Sequence, residues 1–232
     1  MRSRSVCRTT SPDFVNWTER VPLKPNLEEE HLYTTQTHPY FRAPHIYIAT
    51  PTRFHPERGK ITDILFMTAR GNRRFDRSFA EAFIRPGIDK ARWGNRGNYA
   101  VLNVVPTSPT EMSIYSSPFR RFVLRTDGFV SVHAGAKKGE MTTHPVRFGG
   151  TKLVVNYSTS AGGQLQVELQ DADGNALPGY ELADCQGMYG DAIEQTVEWE
   201  KGNDVSLLAK RPVRLRFVLQ DADLYAIQFR AE

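Results

Sequence analysis

Groups able to do chemistry gather most densely between Phe75 and Arg85, where Asp76 and Glu81 stand among Phe75, Phe79, Phe83 and Arg85. Partial burial against rings raises a carboxyl pKa, and an arginine can pin a carboxylate oxygen. Asp76 and Glu81 are therefore the candidate catalytic pair, one acid held protonated and the other ionised. That division of roles cleaves glycosidic bonds, with carboxyl groups about 5–5.5 Å apart for retention of configuration or roughly 6.5–9.5 Å for inversion. Loop acids tied up in salt bridges are the competing reading of the same two residues.

A second group lies upstream. Phe41-Arg-Ala-Pro-His-Ile-Tyr47 carries Arg42 and His45 just beyond a proline-bounded turn that holds His38. Arginine gives a bidentate grip on a carboxylate or sulfate, and a neutral histidine donates or accepts one bond to a hydroxyl. His45 reads equally as a hydrogen-bonded core residue. Histidines at 31, 38 and 45 are evenly spaced, but Pro39 and Pro44 forbid the helix that would align them, so no metal site is expected. Arg92-Trp-Gly-Asn-Arg-Gly-Asn-Tyr99 sets rings beside amide and guanidinium donors. There Trp93 suits stacking on a sugar ring as well as burial in a core. Gly94 and Gly97 match neither phosphate-loop spacing, so nucleotide binding has no support and no cofactor is expected.

Composition narrows the partners. Apolar residues make up 40% of the chain and charged residues 24%, which describes a folded domain rather than a disordered one. A formal charge of +4 is spread over Arg2 to Arg8, Arg70 to Arg77, Arg120 to Arg125 and Arg211 to Arg216, without a continuous stripe. Nucleic acid is not an expected partner, even at Arg73 and Arg74 or Arg120 and Arg121. Cys7 and Cys185 have no CxxC partner and read as two free thiols, Cys185 in a strand core. No 18-residue apolar run is present, so no transmembrane helix is expected. The first residues are basic without an apolar stretch behind them and are no secretory signal, so export would follow only from a longer parent protein.

The elements that must position these residues are strands. Residues 1–24 read as two short strands around the Ser11-Pro-Asp turn, lacking a partner within themselves. Pro39, Pro44, Pro51 and Pro56 leave only His45 to Thr50 free to run extended. Ile61 to Thr68 is a second strand, returned by a Gly71-Asn72 turn, and Arg77 to Phe83 is a loop stopped by Pro86 and Gly87. Asn98 to Val105, Glu111 to Ser116 and Phe119 to Arg125 continue the meander. From Asp127 the alternation is cleaner, over Thr151 to Tyr157, Gly163 to Gln170, Arg211 to Leu219 and Asp221 to Phe229. Leu-Gln-Asp-Ala-Asp occurs at 169–173 and again at 219–223, both read as strand-to-turn exits. The organisation expected is residues 1–126 followed by a β-sandwich over 127–232, jelly-roll-like in its strand spacing.

Three stretches carry a resemblance. They are Leu32 to Ile48, Phe66 to Arg70 together with Phe75 to Arg77 and Glu81 to Gly87, and Arg214 to Tyr225, and they resemble the C-terminal half of bacterial sialidase-like or glycoside hydrolase family 32-like five-bladed β-propeller proteins. The resemblance implies an all-β chain, a partial β-propeller of about two blades followed by the sandwich, with Arg42 and His45 where an inner strand begins. It also implies that catalytic carboxylates come from earlier blades, leaving this chain a C-terminal portion with part of the active site elsewhere. The expected partner is carbohydrate, with no membrane contact and with open sheet edges able to pair two copies. A non-catalytic carbohydrate-binding or structural β module is the alternative.

Overall fold

The structure, a computed structural model, describes residues 3–28, 30–71, 74–94 and 97–231. Asn72 of the expected turn, Arg73, and Asn95 and Arg96 beside Trp93 lie outside the described residues. The chain is all-β, and two short 3-10 turns, Lys90–Arg92 and Ser206–Leu208, are the only helical segments among the described residues. No helix among them is long and apolar enough to cross a membrane. Two compact units form, Met1–Val123 and Leu124–Glu232.

The first unit consists of small separate antiparallel sheets. β1 (Cys7–Arg8) and β2 (Val21–Pro22) pair with each other, so the opening residues do find a partner within themselves. The other strands are β3 (His31–Leu32), β4 (His38–Tyr40), β5 (Ala43–Ala49), β6 (Thr52–His55), β7 (Ile61–Ile64), β8 (Met67–Arg70), β9 (Val105–Pro106), β10 (Glu111–Ser116) and β11 (Arg120–Arg125). They make three three-stranded sheets, ordered β3-β6-β7, β4-β5-β8 and β11-β10-β9.

Prolines were expected to leave one free strand between 39 and 56, yet β4, β5 and β6 all form, because Pro39 lies in the edge strand β4 and Pro44 falls in the β4–β5 irregularity, outside the paired register of β5. The run from Ile61 to Thr68 is two strands, not one. It breaks at Leu65-Phe66, sending β7 to β6 and β8 to β5, and both sheets then bury against Leu32, Ala49, Leu65 and Met67. Asn98 to Val105 is also not a regular strand, since only the Ala100–Ser116 bridge and β9 pair there.

The second unit is one curled, sandwich-like sheet of five strands: β12 (Val132–Ala134), β13 (Gly139–Thr142), β14 (Lys152–Gln170), β15 (Asp191–Thr196) and β16 (Arg214–Arg230). β16 is central, with β14 along one edge and β12 and β13 in succession along the other. The four shorter strands expected here are merged into β14 and β16, so the second Leu-Gln-Asp-Ala-Asp lies inside β16 rather than at a turn. The first copy does leave its strand, where the Asp171 carboxylate accepts from the N–H groups of Asp173 and Asn175 at 2.9 Å each. A straight strand of this length would run about 3.3 Å per residue, too far to close a core. The β14–β16 ladder is instead interrupted between Thr159 and Gln164, opposite Asp221, whose φ is 41°. Gly163 permits that kink: a Cβ there would stand 2.4 Å from the Asp221 carbonyl oxygen.

Leu153, Val155 and Tyr157 from one arm of β14 thereby join Leu165, Val167 and Leu169 from the other in one core. Trp199 seals it, fully buried, with Nε1 donating to the Val167 carbonyl at 2.9 Å and its ring edge-on to Tyr180. Cys185 is buried beside them outside any regular strand, so it is a core thiol but not a strand one.

Candidate functional site

The loop carrying Trp93 is built on a buried amide. Asn98 is wholly inaccessible; its Oδ1 accepts from Arg92 Nε at 2.8 Å, and its Nδ2 donates to the carbonyls of Thr62 at 2.7 Å and Arg92 at 2.8 Å. Its own carbonyl accepts from Thr52 Oγ1 at 3.1 Å, tying the loop to β6 and β7. Gly97 lets the chain close on itself, since a Cβ there would meet the Arg92 carbonyl oxygen at 2.8 Å. Asp89 caps the Lys90–Arg92 turn through Ala91 N–H and pairs with Arg120. Arg92 is buried with its guanidinium over the Phe122 ring; burial and the charge of Arg120 lower its pKa, though a guanidinium stays cationic at neutral pH.

Trp93 closes this turn. Its ring is 52% exposed, and its Nε1 donates to the Gly87 carbonyl at 2.8 Å. The indole is held by its polar edge while much of its surface stays wet. Ile88 and Phe119 are fully exposed.

The two acids occupy a different setting from the one expected. Asp76 is exposed, bridged to Thr68, and its Oδ1 accepts from the Ser78 hydroxyl at 2.6 Å and N–H at 2.7 Å. Those bonds, the hydroxyl first, hold its carboxyl below the usual carboxylate range, so Phe75 does not lift it by burial. Glu81 is exposed between two anchors, the Ala80 carbonyl that accepts from Arg53 and the Phe83 N–H that donates to Ile64. Arg85 is exposed beyond the Ile64–Ile84 bridge.

Arg42 stands half-buried in the β4–β5 turn and His45 is exposed on β5, so His45 is not a core histidine. His38 is one. It is buried, with Nδ1 2.9 Å from the Gln36 carbonyl and Nε2 accepting from Val104 N–H at 3.1 Å, so both ring nitrogens are engaged within the protein. His31 belongs to the β3 sheet, apart from the sheet of His38 and His45. Among the described residues no three His, Cys, Asp or Glu side chains are placed to hold a metal ion.

One charged cluster was not anticipated. Glu30 is buried, gripped on both oxygens by Arg77, reached by Arg53 at 3.7 Å, and bonded to Leu27 N–H. Arg53 also clasps Asp63 on both oxygens, with His55 3.4 Å from that carboxylate. Burial pushes the Glu30 carboxyl up, but the Arg77 bonds, the Leu27 N–H and the two guanidinium charges together bring it below its ordinary value. A carboxylate so fully bonded is structural. It fixes the loop bearing Glu81 to the β3-β6-β7 sheet.

No protein-family model matches the chain, and no curated protein matches it. Among solved structures it is similar to a glycoside hydrolase family 43 arabinoxylan arabinofuranohydrolase from Bacillus subtilis in complex with cellotetraose, at 13% identity and a TM-score of 0.25. The match covers 95% of this chain and 58% of that one. That neighbour belongs to family 43, not to the sialidase-like or family 32 proteins of the sequence resemblance. Identity and TM-score this low define neither a shared fold nor a shared activity.

Proposed function

We propose that this chain is a glycoside-hydrolase-like β protein that binds carbohydrate, with the Trp93 surface of the first unit meeting the sugar. One observation carries the reading: an indole fixed through its N–H to Gly87, on a turn locked by buried Asn98, with half its surface in water. A ring already held in place loses little freedom when a pyranose stacks on it, and its apolar face matches the C–H face of a sugar. Exposed Arg85, two positions before Gly87, offers guanidinium donors to hydroxyl or acidic substituents. Arg42 and His45, at the β4–β5 end, form a second group of donors. Binding is favoured over cleavage by Asp76 and Glu81 because Asp76 is held ionised and Glu81 is exposed, whereas hydrolysis needs one acid kept protonated.

The test is a glycan array with the full chain, repeated with Trp93→Ala, Arg42→Ala and Glu81→Ala. Trp93→Ala is expected to weaken binding about tenfold, the worth of roughly 1.4 kcal/mol. Sugar binding by the parent chain that none of the three substitutions alters would end this assignment.

A further inference from the structure

The second unit holds a cleft of about 200 Å³ beside β15, bordered by Tyr157, Gln186, Tyr189, Gln195, Thr196 and Glu198. We infer that this cleft is a binding site for a single ring of a neutral carbohydrate. The inference rests on the carbohydrate reading above but concerns a different set of residues.

Its chemistry selects the ligand class. Two primary amides, three hydroxyls and a carboxylate offer donors and acceptors side by side, as hydroxyl-rich ligands require. Among the described residues no lysine, arginine or histidine borders it, and Glu198 brings negative charge, so phosphate, sulfate and uronate groups are disfavoured. The volume falls below the roughly 300–1,000 Å³ of pockets that enclose drug-sized ligands, which suits one sugar ring. Tyr189, 77% exposed, supplies the apolar face at the rim.

The rim is held in advance. Met188 exchanges both backbone bonds with Leu165 at 2.9 Å, and Gly190 exchanges two with Thr159, donating its N–H to Oγ1 at 2.9 Å and accepting from Thr159 N–H at 2.7 Å. Between them the Tyr157 hydroxyl donates to the Tyr189 carbonyl at 3.0 Å. The opposite wall is joined through Gln186 N–H to the Glu198 carbonyl at 3.0 Å. Backbone bonds thus fix the frame, leaving the side chains of Gln186, Tyr189 and Glu198 exposed above it. Pre-organisation of this kind reduces the ordering cost of binding.

The experiment is an amide-detected NMR titration of the full chain with neutral tetrasaccharides of glucose, xylose, mannose and galactose. At least one should shift the amides of Gly187 and Gly190 and the side-chain amide of Gln186 saturably. Tyr189→Ala and Glu198→Ala, both at exposed side chains, should each weaken that response about tenfold while leaving the response of the Trp93 indole as it is in the parent chain. Cleft shifts that survive both substitutions overturn the inference. Saturable shifts confined to the Trp93 indole and its neighbours also overturn it while keeping the carbohydrate reading, and silence at both places removes the two together.

Discussion

Arg77 holds both oxygens of Glu30, with Nη1 2.8 Å from Oε2 and Nη2 2.9 Å from Oε1, and neither side chain is more than a tenth exposed. Removing one partner leaves the other charge buried and unpaired. Glu30→Gln should therefore destabilise the first unit by about 3–5 kcal/mol, measured by urea denaturation, while replacing both residues with apolar ones of similar size should cost far less.

The same pair sets an acid limb. The ordinary Glu30 value is 4.5 and the folded value is lower, so its contribution is complete above 4.5 and fades as pH falls through the folded value. The parent chain should lose stability across that window, and Glu30→Gln should lose less. Denaturation midpoints taken from about pH 7 to about pH 3 in both proteins test this; parallel curves would contradict it.

Trp199 carries a third expectation. Truncation to Ala empties a large volume and frees the Val167 carbonyl from its 2.9 Å bond, so Trp199→Ala should cost about 3–5 kcal/mol. Trp199→Phe should cost less but still leave that acceptor unpaired, about 1–3 kcal/mol.

Neighbouring glycines at the β14 kink should separate cleanly. Gly163→Ala drives a methyl against the Asp221 carbonyl and should destabilise by about 1–3 kcal/mol, whereas Gly162→Ala meets nothing within 4 Å. Thermal melts that fail to distinguish the two would show that the ladder can shift to accept the methyl.

Thiol chemistry should also divide by position. Cys7 is exposed; Cys185 is buried, and burial pushes its thiol up even though Val167 N–H donates to the sulfur. A disulfide-exchange reagent should titrate one thiol in the folded chain and the second only in denaturant.

Local alternation made β10 readable, because Glu111 to Ser116 satisfies one sheet with its own neighbours. It failed at Leu65-Phe66. An unbroken apolar run carries no mark of the point where one sheet ends and another begins, since both arms are buried there. Trp93 was legible as a ring among donors, but its exposure depends on Asn98 bonding to Thr62, 36 positions away. Glu30 and Arg77 are 47 positions apart, and no spacing rule joins them. Nor does any motif unite Tyr157 with Gln186 and Glu198; the cleft exists only once β14 is folded against its neighbours.

β16 is bordered by β14 on one side and by β12 and β13 on the other. During synthesis, residues 124 to about 213 can emerge from the ribosome before the strand that pairs with β12, β13 and one edge of β14. Until β16 follows, β12 and β13 lack their sheet partner and β14 has β15 on one edge alone, so unpaired edges and apolar faces stand uncovered and this half of the chain should need chaperone shelter.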